Sequence, residues 1–124
     1  MKNVVKIVLF CIGFACASYA AQEGEEYYRK AQECIEKKDA DNAIIYLHKA
    51  IDSGYHDGYT YAILASLYEI KGLDDTAKKY YTLALKLLEE QLQEHTKSKS
   101  DTLIRSTNES IARTKRSLEK LKVN

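Results

Sequence analysis

Shifted by 34 positions, the chain falls back on itself. Ala31 lands on Ala65, Ala43 on Ala77 and Ala50 on Ala84. Tyr27 lands on Tyr61 and Tyr46 on Tyr80, while Cys34 meets Tyr68, Leu47 meets Tyr81 and Asp41 meets Asp75. A chain that repeats at a fixed interval of this size folds as successive supersecondary units, each too small to bury its own apolar face alone. With no proline and only five glycines in 124 residues, those units are helical rather than loop-rich β-structure.

Within each unit the apolar residues fall on helical stripes. Tyr27, Ala31, Cys34 and Ile35 form one, Ala43, Leu47, Ala50 and Ile51 a second, and Tyr61, Leu64, Ala65 and Tyr68 a third. Alanine at the crossing points lets two helices approach closely, and the neighbouring rings fill the flanking gaps. Gly54 and Gly72 follow helix ends, where a left-handed residue is wanted. Lys38 occupies the position equivalent to Gly72, and a left-handed backbone there would cost roughly 1 kcal/mol relative to glycine. Asp41 and Asp74 lie at or near the starts of second helices, as caps or as charges favourable to the helix dipole.

This pattern resembles the tetratricopeptide repeat. Helix A of the first repeat carries Tyr27, Ala31 and Cys34, and helix B carries Ala43, Leu47 and Ala50. The second repeat carries Tyr61, Leu64, Ala65 and Tyr68, then Ala77, Tyr81 and Ala84, and the match runs from about Gly24 to Leu92. The proline usual after helix B is missing, and the glycine usual at the small position of helix A is alanine in both copies. Gly54 and Gly58 resemble the junctions of the related Sel-like repeats, but the strict spacing of 34 favours the tetratricopeptide reading. The resemblance implies an all-α solenoid of two helical hairpins closed by a C-terminal capping helix or hairpin. It also implies non-enzymatic protein–protein interaction on the concave face formed by the A helices. The matching positions are Glu25, Tyr28, Gln32 and Ile35 in the first repeat and Tyr59, Ala62, Ser66 and Glu69 in the second. Tyr28 and Tyr59 lead this set, with Tyr80 weaker because it lies on a B helix. A peptide or short helix with apolar and basic features would suit tyrosines with acidic edges. The chaperone-tail subfamily uses lysine and asparagine on this face; Tyr28, Gln32, Ala62 and Ser66 do not reproduce them.

The C-terminal segment leaves the repeat. Tyr81, Leu85, Leu88, Leu92 and His95 continue one helical stripe. Lys97–Ser100 reads as a polar linker with Asp101 as a cap, and Ile104, Thr107, Ile111, Thr114, Leu118 and Leu121 form a last stripe. Two such stripes joined by a short linker predict an antiparallel hairpin that caps the second repeat. Charge divides along the same line. Gln22–Thr96 holds nine basic and fifteen acidic residues, net −6, whereas Lys97–Asn124 holds eight basic and three acidic, net +5. The basic helix is expected to pack on the acidic repeats in cis; the alternative is an arm for an acidic partner or anionic lipid head groups. A second functional alternative is a self-associating structural subunit that uses the long second-repeat helix and this basic helix in trans.

The first twenty residues read as a leader. Lys2 and Lys6 precede an apolar run from Ile7 to Ala17, and Ser18-Tyr19-Ala20 supplies small residues for cleavage after Ala20. The run falls short of the ~20 residues a membrane span needs, although an uncleaved anchor is the alternative. Gly13-Phe14-Ala15-Cys16 lacks the leucine and small residue of a lipoprotein box. The expected organisation is a leader over 1–20, two repeats within 21–96 at about 24–57 and 58–91, and a linker with a basic helix over 97–124. The expected location is periplasmic or secreted, in a bacterial host. Cys34 is then the only cysteine of the processed chain, expected as a small buried hydrophobe.

No catalytic constellation is present in the sequence. There is no phosphate-cradling glycine loop, no Cys-x-x-Cys and no His-Glu-x-x-His, and His48, His56 and His95 form no pair at helical spacing. Ser106 and Ser110 have no histidine base at helical spacing, and Asn108-Glu109-Ser110 matches a glycosylation acceptor only formally, in mid-helix. No cofactor or metal is expected. The net charge of +1 is too balanced for a generic nucleic-acid binder, so the expected partner is a protein. Membrane contact is expected only through an uncleaved leader or the basic C-terminal helix.

Overall fold

The computed structural model describes Tyr19 and residues 21–123. The expected leader, its cleavage site and its two cysteines lie outside these residues, Tyr19 apart. Five helices make up the described chain, and no strand occurs among the described residues. Helix α1 is described over residues 21–36. It is followed by α2 (Ala40–Asp52), α3 (Gly58–Ile70), α4 (Asp74–Lys97) and α5 (Asp101–Val123). The all-α helical-repeat class expected from the sequence is the one found. Contacts divide the chain into two compact units, Met1–Tyr55 and His56–Asn124.

The helix ends share one physical solution. Lys38, Gly54, Gly72 and Lys99 all have positive φ, at 59°, 94°, 72° and 54°. After each, the next amide bonds back five residues: Asp39 N to Cys34 O, Tyr55 N to Ala50 O, Leu73 N to Tyr68 O and Ser100 N to His95 O. The positive-φ residues themselves bond back three. This is the Schellman arrangement, which satisfies carbonyls that a helix end would otherwise orphan. Glycine occupies two of the four turns at no steric cost, whereas Lys38 and Lys99 each carry roughly 1 kcal/mol of left-handed strain.

Helix starts differ from expectation in detail. The N-cap of α2 is Asp39, whose carboxylate accepts from the Asn42 amide at 3.2 Å and side chain at 2.6 Å. These bonds, the side-chain one foremost, hold the Asp39 pKa below its ordinary value. Asp41 lies inside the first turn of α2, as Asp74 and Asp75 do in α4, so they act on the helix dipole and do not cap. Leu73 precedes α4 without a side-chain cap bond, and Asp101 is already helical in α5. Asp57 caps α3 more fully: it accepts from the Thr60 amide at 2.8 Å and the buried Thr60 hydroxyl at 2.7 Å.

In the first unit Ala31, Ala43, Leu47 and Ala50 are fully buried, as the stripes require. Tyr27 stacks on Tyr46 with centroids 6.4 Å apart. Lys49 places its ammonium 5.6 Å from both ring centroids, and Lys30 lies 5.6 Å from Tyr27. Cys34 is half-buried rather than enclosed, so the expected fully buried position is not the one found.

In the second unit Ala65, Ala77, Tyr81 and Leu121 form one buried cluster flanked by Tyr68, Tyr80 and Leu118. Tyr80, half-buried, stacks on Tyr61 at 6.2 Å and on Tyr68 at 5.4 Å, so its ring takes part in the packing of this unit. Helix α4 contacts both α3 and α5. Thr107, Ile111, Thr114 and Leu121 are buried on the inner side of α5, as the last stripe predicts. The basic C-terminal helix therefore packs on its own chain.

Gly58 sets the closest approach in this unit. A Cβ there would lie 2.7 Å from Leu88 Cγ and 2.9 Å from the Leu88 backbone nitrogen, so only glycine lets α3 begin against α4 at this spacing.

Candidate functional site

In the first unit, Gln22, Glu25, Glu26, Tyr28, Arg29 and Gln32 on α1 line a cleft of about 530 Å³ together with Tyr55. Their spacing of three and four puts them on one side of the helix. Tyr55 arrives from beyond α2. The Schellman turn at Gly54 folds the chain back, with the Tyr55 amide donating to Ala50 O at 2.8 Å. The ring then meets Tyr28, with centroids 4.8 Å apart and planes tilted by 39°. Gly24 eases this approach, since a Cβ at that position would lie 3.1 Å from Tyr55 Cβ, close enough to require a small adjustment.

Electrostatically the cleft leans acidic. Arg29 is paired with Glu33, and Glu26 with Lys30 at 2.7 Å. The hydrogen bond from Lys30 holds the Glu26 carboxyl below its ordinary pKa, and the same bond raises that of Lys30. Glu25 is exposed and stands in no ion pair among the described residues. Of the four positions expected in this repeat, Glu25, Tyr28 and Gln32 come together, while Ile35 is exposed and does not line the cleft. Arg29, Glu26 and Gln22 follow from Tyr28 by helical spacing. Tyr55 carried no helical signal and was reachable only through the turn at Gly54.

In the second unit two of the expected positions, Tyr59 and Glu69, contact another helix of the same chain. The Tyr59 hydroxyl lies 3.1 Å from Thr107 Oγ1 on α5. Ser66 donates to Ile63 O at 2.7 Å. Glu69 accepts from the Tyr81 hydroxyl at 2.8 Å on one oxygen and from Lys120 at 3.1 Å on the other. Ser66 and Glu69 share a cleft of about 560 Å³ with Ile70, Asp74, Tyr81, Ser117, Lys120 and Leu121. Ala62 is half-buried and lines neither cleft. Burial pushes the Tyr81 hydroxyl up to about 12, and a bond to Glu69 acts in the same direction while one with Ser117 opposes it. Burial also raises Tyr80. Tyr59, a leading contact residue on the sequence, thus has its hydroxyl engaged by the capping helix.

Among the described residues no group of three His, Cys, Asp or Glu side chains is placed to hold a metal, and no described helix is long and apolar enough to cross a membrane. What the first-unit cleft can do chemically is bind. It offers two ring faces, amide donors and acceptors, and a carboxylate at its edge.

Comparison with protein families finds the tetratricopeptide repeat over residues 25–53 and 59–91, together half of the 124-residue chain. Comparison with curated proteins finds no match.

Proposed function

We propose, on the premise that this chain belongs to the tetratricopeptide-repeat family, that it is a non-enzymatic interaction scaffold of the periplasm or the secreted space. Repeats of this family are typically non-catalytic and mediate protein–protein interaction. The segment bound is a peptide or short helix, and it sits on the helix-A side of the first repeat. The observation that carries this reading is the Tyr28–Tyr55 cleft, with Glu25 at its edge. Tyrosine rings give large contact area at small entropic cost, which is why they anchor interfaces. Two of the equivalent positions of the second repeat, Tyr59 and Glu69, are engaged by α5, which favours the first repeat for the contact.

The test is capture from a periplasmic extract on the immobilised chain, with wild type, Tyr28→Ala and Tyr59→Ala side by side. Tyr28→Ala is expected to lose a protein that wild type retains, with its thermal unfolding followed as a control. An unchanged set of captured proteins would refute the cleft. Export is tested separately by the mass of the protein from fractionated cells. The expected mass lacks residues 1–20, and an unprocessed chain in the membrane fraction overturns that part of the proposal.

A further inference from the structure

The outer side of α5 carries a basic surplus that the fold does not use. Eight basic and three acidic residues lie between Lys97 and Asn124. Among the described residues only Lys115–Glu89 at 3.5 Å and Lys120–Glu69 at 3.1 Å tie this segment by charge to α4 and α3. Both lysines are exposed, so these pairs hold the helix weakly, and the buried Thr107, Ile111, Thr114 and Leu121 do the holding. Among the described residues Arg105, Arg113 and Arg116 stand in no ion pair; Arg116 bonds only to the Ala112 carbonyl of its own helix, at 3.4 Å. Arg113, Arg116, Ser117 and Lys120 line a cleft of about 370 Å³ whose opposite wall is Glu69.

We propose that this cleft docks an acidic protein segment, in which carboxylates three or four residues apart on a helix meet Arg113, Arg116 and Lys120. Spaced at three and four along α5, the three cations rise over roughly 10 Å, a span that an acidic helix of the same period reproduces. Two guanidiniums offer fork geometry suited to carboxylates. Glu69 already has both oxygens engaged, by Tyr81 and Lys120, and so leaves the two arginines for an outside anion. Its charge on the wall also disfavours a doubly charged phosphate over a single carboxylate. The outer face of α5 around the cleft presents Arg105, Glu109, Ala112, Arg113, Arg116 and Lys120, and its exposed apolar side chains, Leu103 and Val123, lie at opposite ends of the helix, so it offers no contiguous apolar stripe to a bilayer. The net charge of −6 over Gln22–Thr96 disfavours extended polyanions such as nucleic acid.

The probe is a fluorescein-labelled helical peptide of roughly 15 residues, built from alanine with glutamates at alternating spacings of three and four. Its binding to the full chain is followed by fluorescence anisotropy at low salt. Arg113→Gln with Arg116→Gln is expected to weaken binding about tenfold, and Lys97→Gln with Lys99→Gln, an equal loss of charge, to leave it within about twofold. Glu69→Gln is expected to tighten it, an effect that a merely structural role would not produce. Equal losses in the two double variants would overturn the proposal in favour of diffuse attraction. Arginine-dependent binding to vesicles of phosphatidylcholine and phosphatidylserine in equal parts, with none to the peptide, would overturn it in favour of a lipid surface. Circular dichroism of each variant shows that the helices persist, since all the residues changed except the half-buried Glu69 are exposed.

Discussion

Replacing Gly58 by alanine sets two effects of opposite sign against each other. Alanine is the better helix former, worth up to ~1 kcal/mol in a helix interior and less at the first residue of α3. The added Cβ, however, would stand 2.7 Å from Leu88 Cγ, 2.9 Å from Leu88 N and 3.0 Å from Leu88 Cδ2. Carbon atoms in comfortable contact are about 3.5–4.0 Å apart. Relief therefore needs a movement of roughly 0.7 Å, and one contact is backbone in mid-α4, which can yield only if the helix shifts. Leu88 is fully buried, so its side chain has no empty space to enter. Overpacking of this kind costs about 1–3 kcal/mol, so the net effect is a loss of ~1–2 kcal/mol and a fall in Tm of roughly 4–12 °C. Gly24→Ala is the matched control. Its Cβ would meet Tyr55 Cβ at 3.1 Å and the carbonyl oxygens of Ser53 and Ala50 at 3.3 and 3.4 Å, a tight fit that small adjustments accommodate. Thermal unfolding followed at 222 nm, with urea titration for ΔG, compares the two. In the double variant Gly58→Ala, Leu88→Ala, the two side-chain contacts disappear, so the two changes should couple by about 1 kcal/mol. A Gly58→Ala protein as stable as wild type would refute the argument that this approach requires glycine.

Asp57→Ala should cost about 1–2 kcal/mol in urea unfolding, because it removes the cap of α3 and strands the buried Thr60 hydroxyl; a loss below that of an ordinary exposed substitution would count against the double cap. Tyr81, pushed up to about 12, should contribute an ionisation well above the ordinary tyrosine range, absent in Tyr81→Phe, in an alkaline titration read by ultraviolet absorbance. Since its folded pKa lies above the unfolded value, the stabilisation is complete below about pH 10 and is lost between about pH 10 and 12, and Tyr81→Phe should flatten that loss. Cys34→Tyr should raise stability by roughly 0.5–1.5 kcal/mol by extending the Tyr27–Tyr46 stack in the way that Tyr68 extends the stack of the second unit; a lower Tm would show that the half-buried site cannot take a ring.

The alanines at helix crossings were legible because close approach demands small side chains wherever two helices meet, and Ala31, Ala43, Ala65 and Ala77 are all fully buried. The last stripe was legible for the same reason, since period and burial coincide from Thr107 to Leu121. Gly24 and Gly58 also lie 34 apart, yet that coincidence was not read. Glycine in a sequence points first to backbone freedom, and neither residue uses it; each supplies clearance for a neighbour that only the folded chain identifies. The helical position of Tyr59 says which way it faces, but not that Thr107 of α5 lies within reach of its hydroxyl. Tyr55 was missed because a turn, and not a helical period, carries it to Tyr28.

The two repeats share a frame but fill it differently, and the difference bears on which of them can bind. Tyr27 on Tyr46 and Tyr61 on Tyr80 are nearly the same stack, 6.4 and 6.2 Å between centroids. At the next position the second repeat adds Tyr68 and the first has Cys34. Where the second repeat has Leu64, fully buried, and Leu83, the first has Lys30 and Lys49, whose ammoniums lie over the rings. Lysine stems cover apolar surface while their charges stay in water, so the first stack is finished by side chains that remain solvated. The second is extended by the Tyr68 ring, with the half-exposed Leu83 beside it, and its helix A is tied further along by Tyr81 and Lys120 on Glu69. A surface completed by solvated charge can exchange water for a partner at small cost, whereas one completed by buried contacts must first break them. By that criterion the proposed contact surface belongs on the first repeat, while the second supports the helix that carries Arg113 and Arg116.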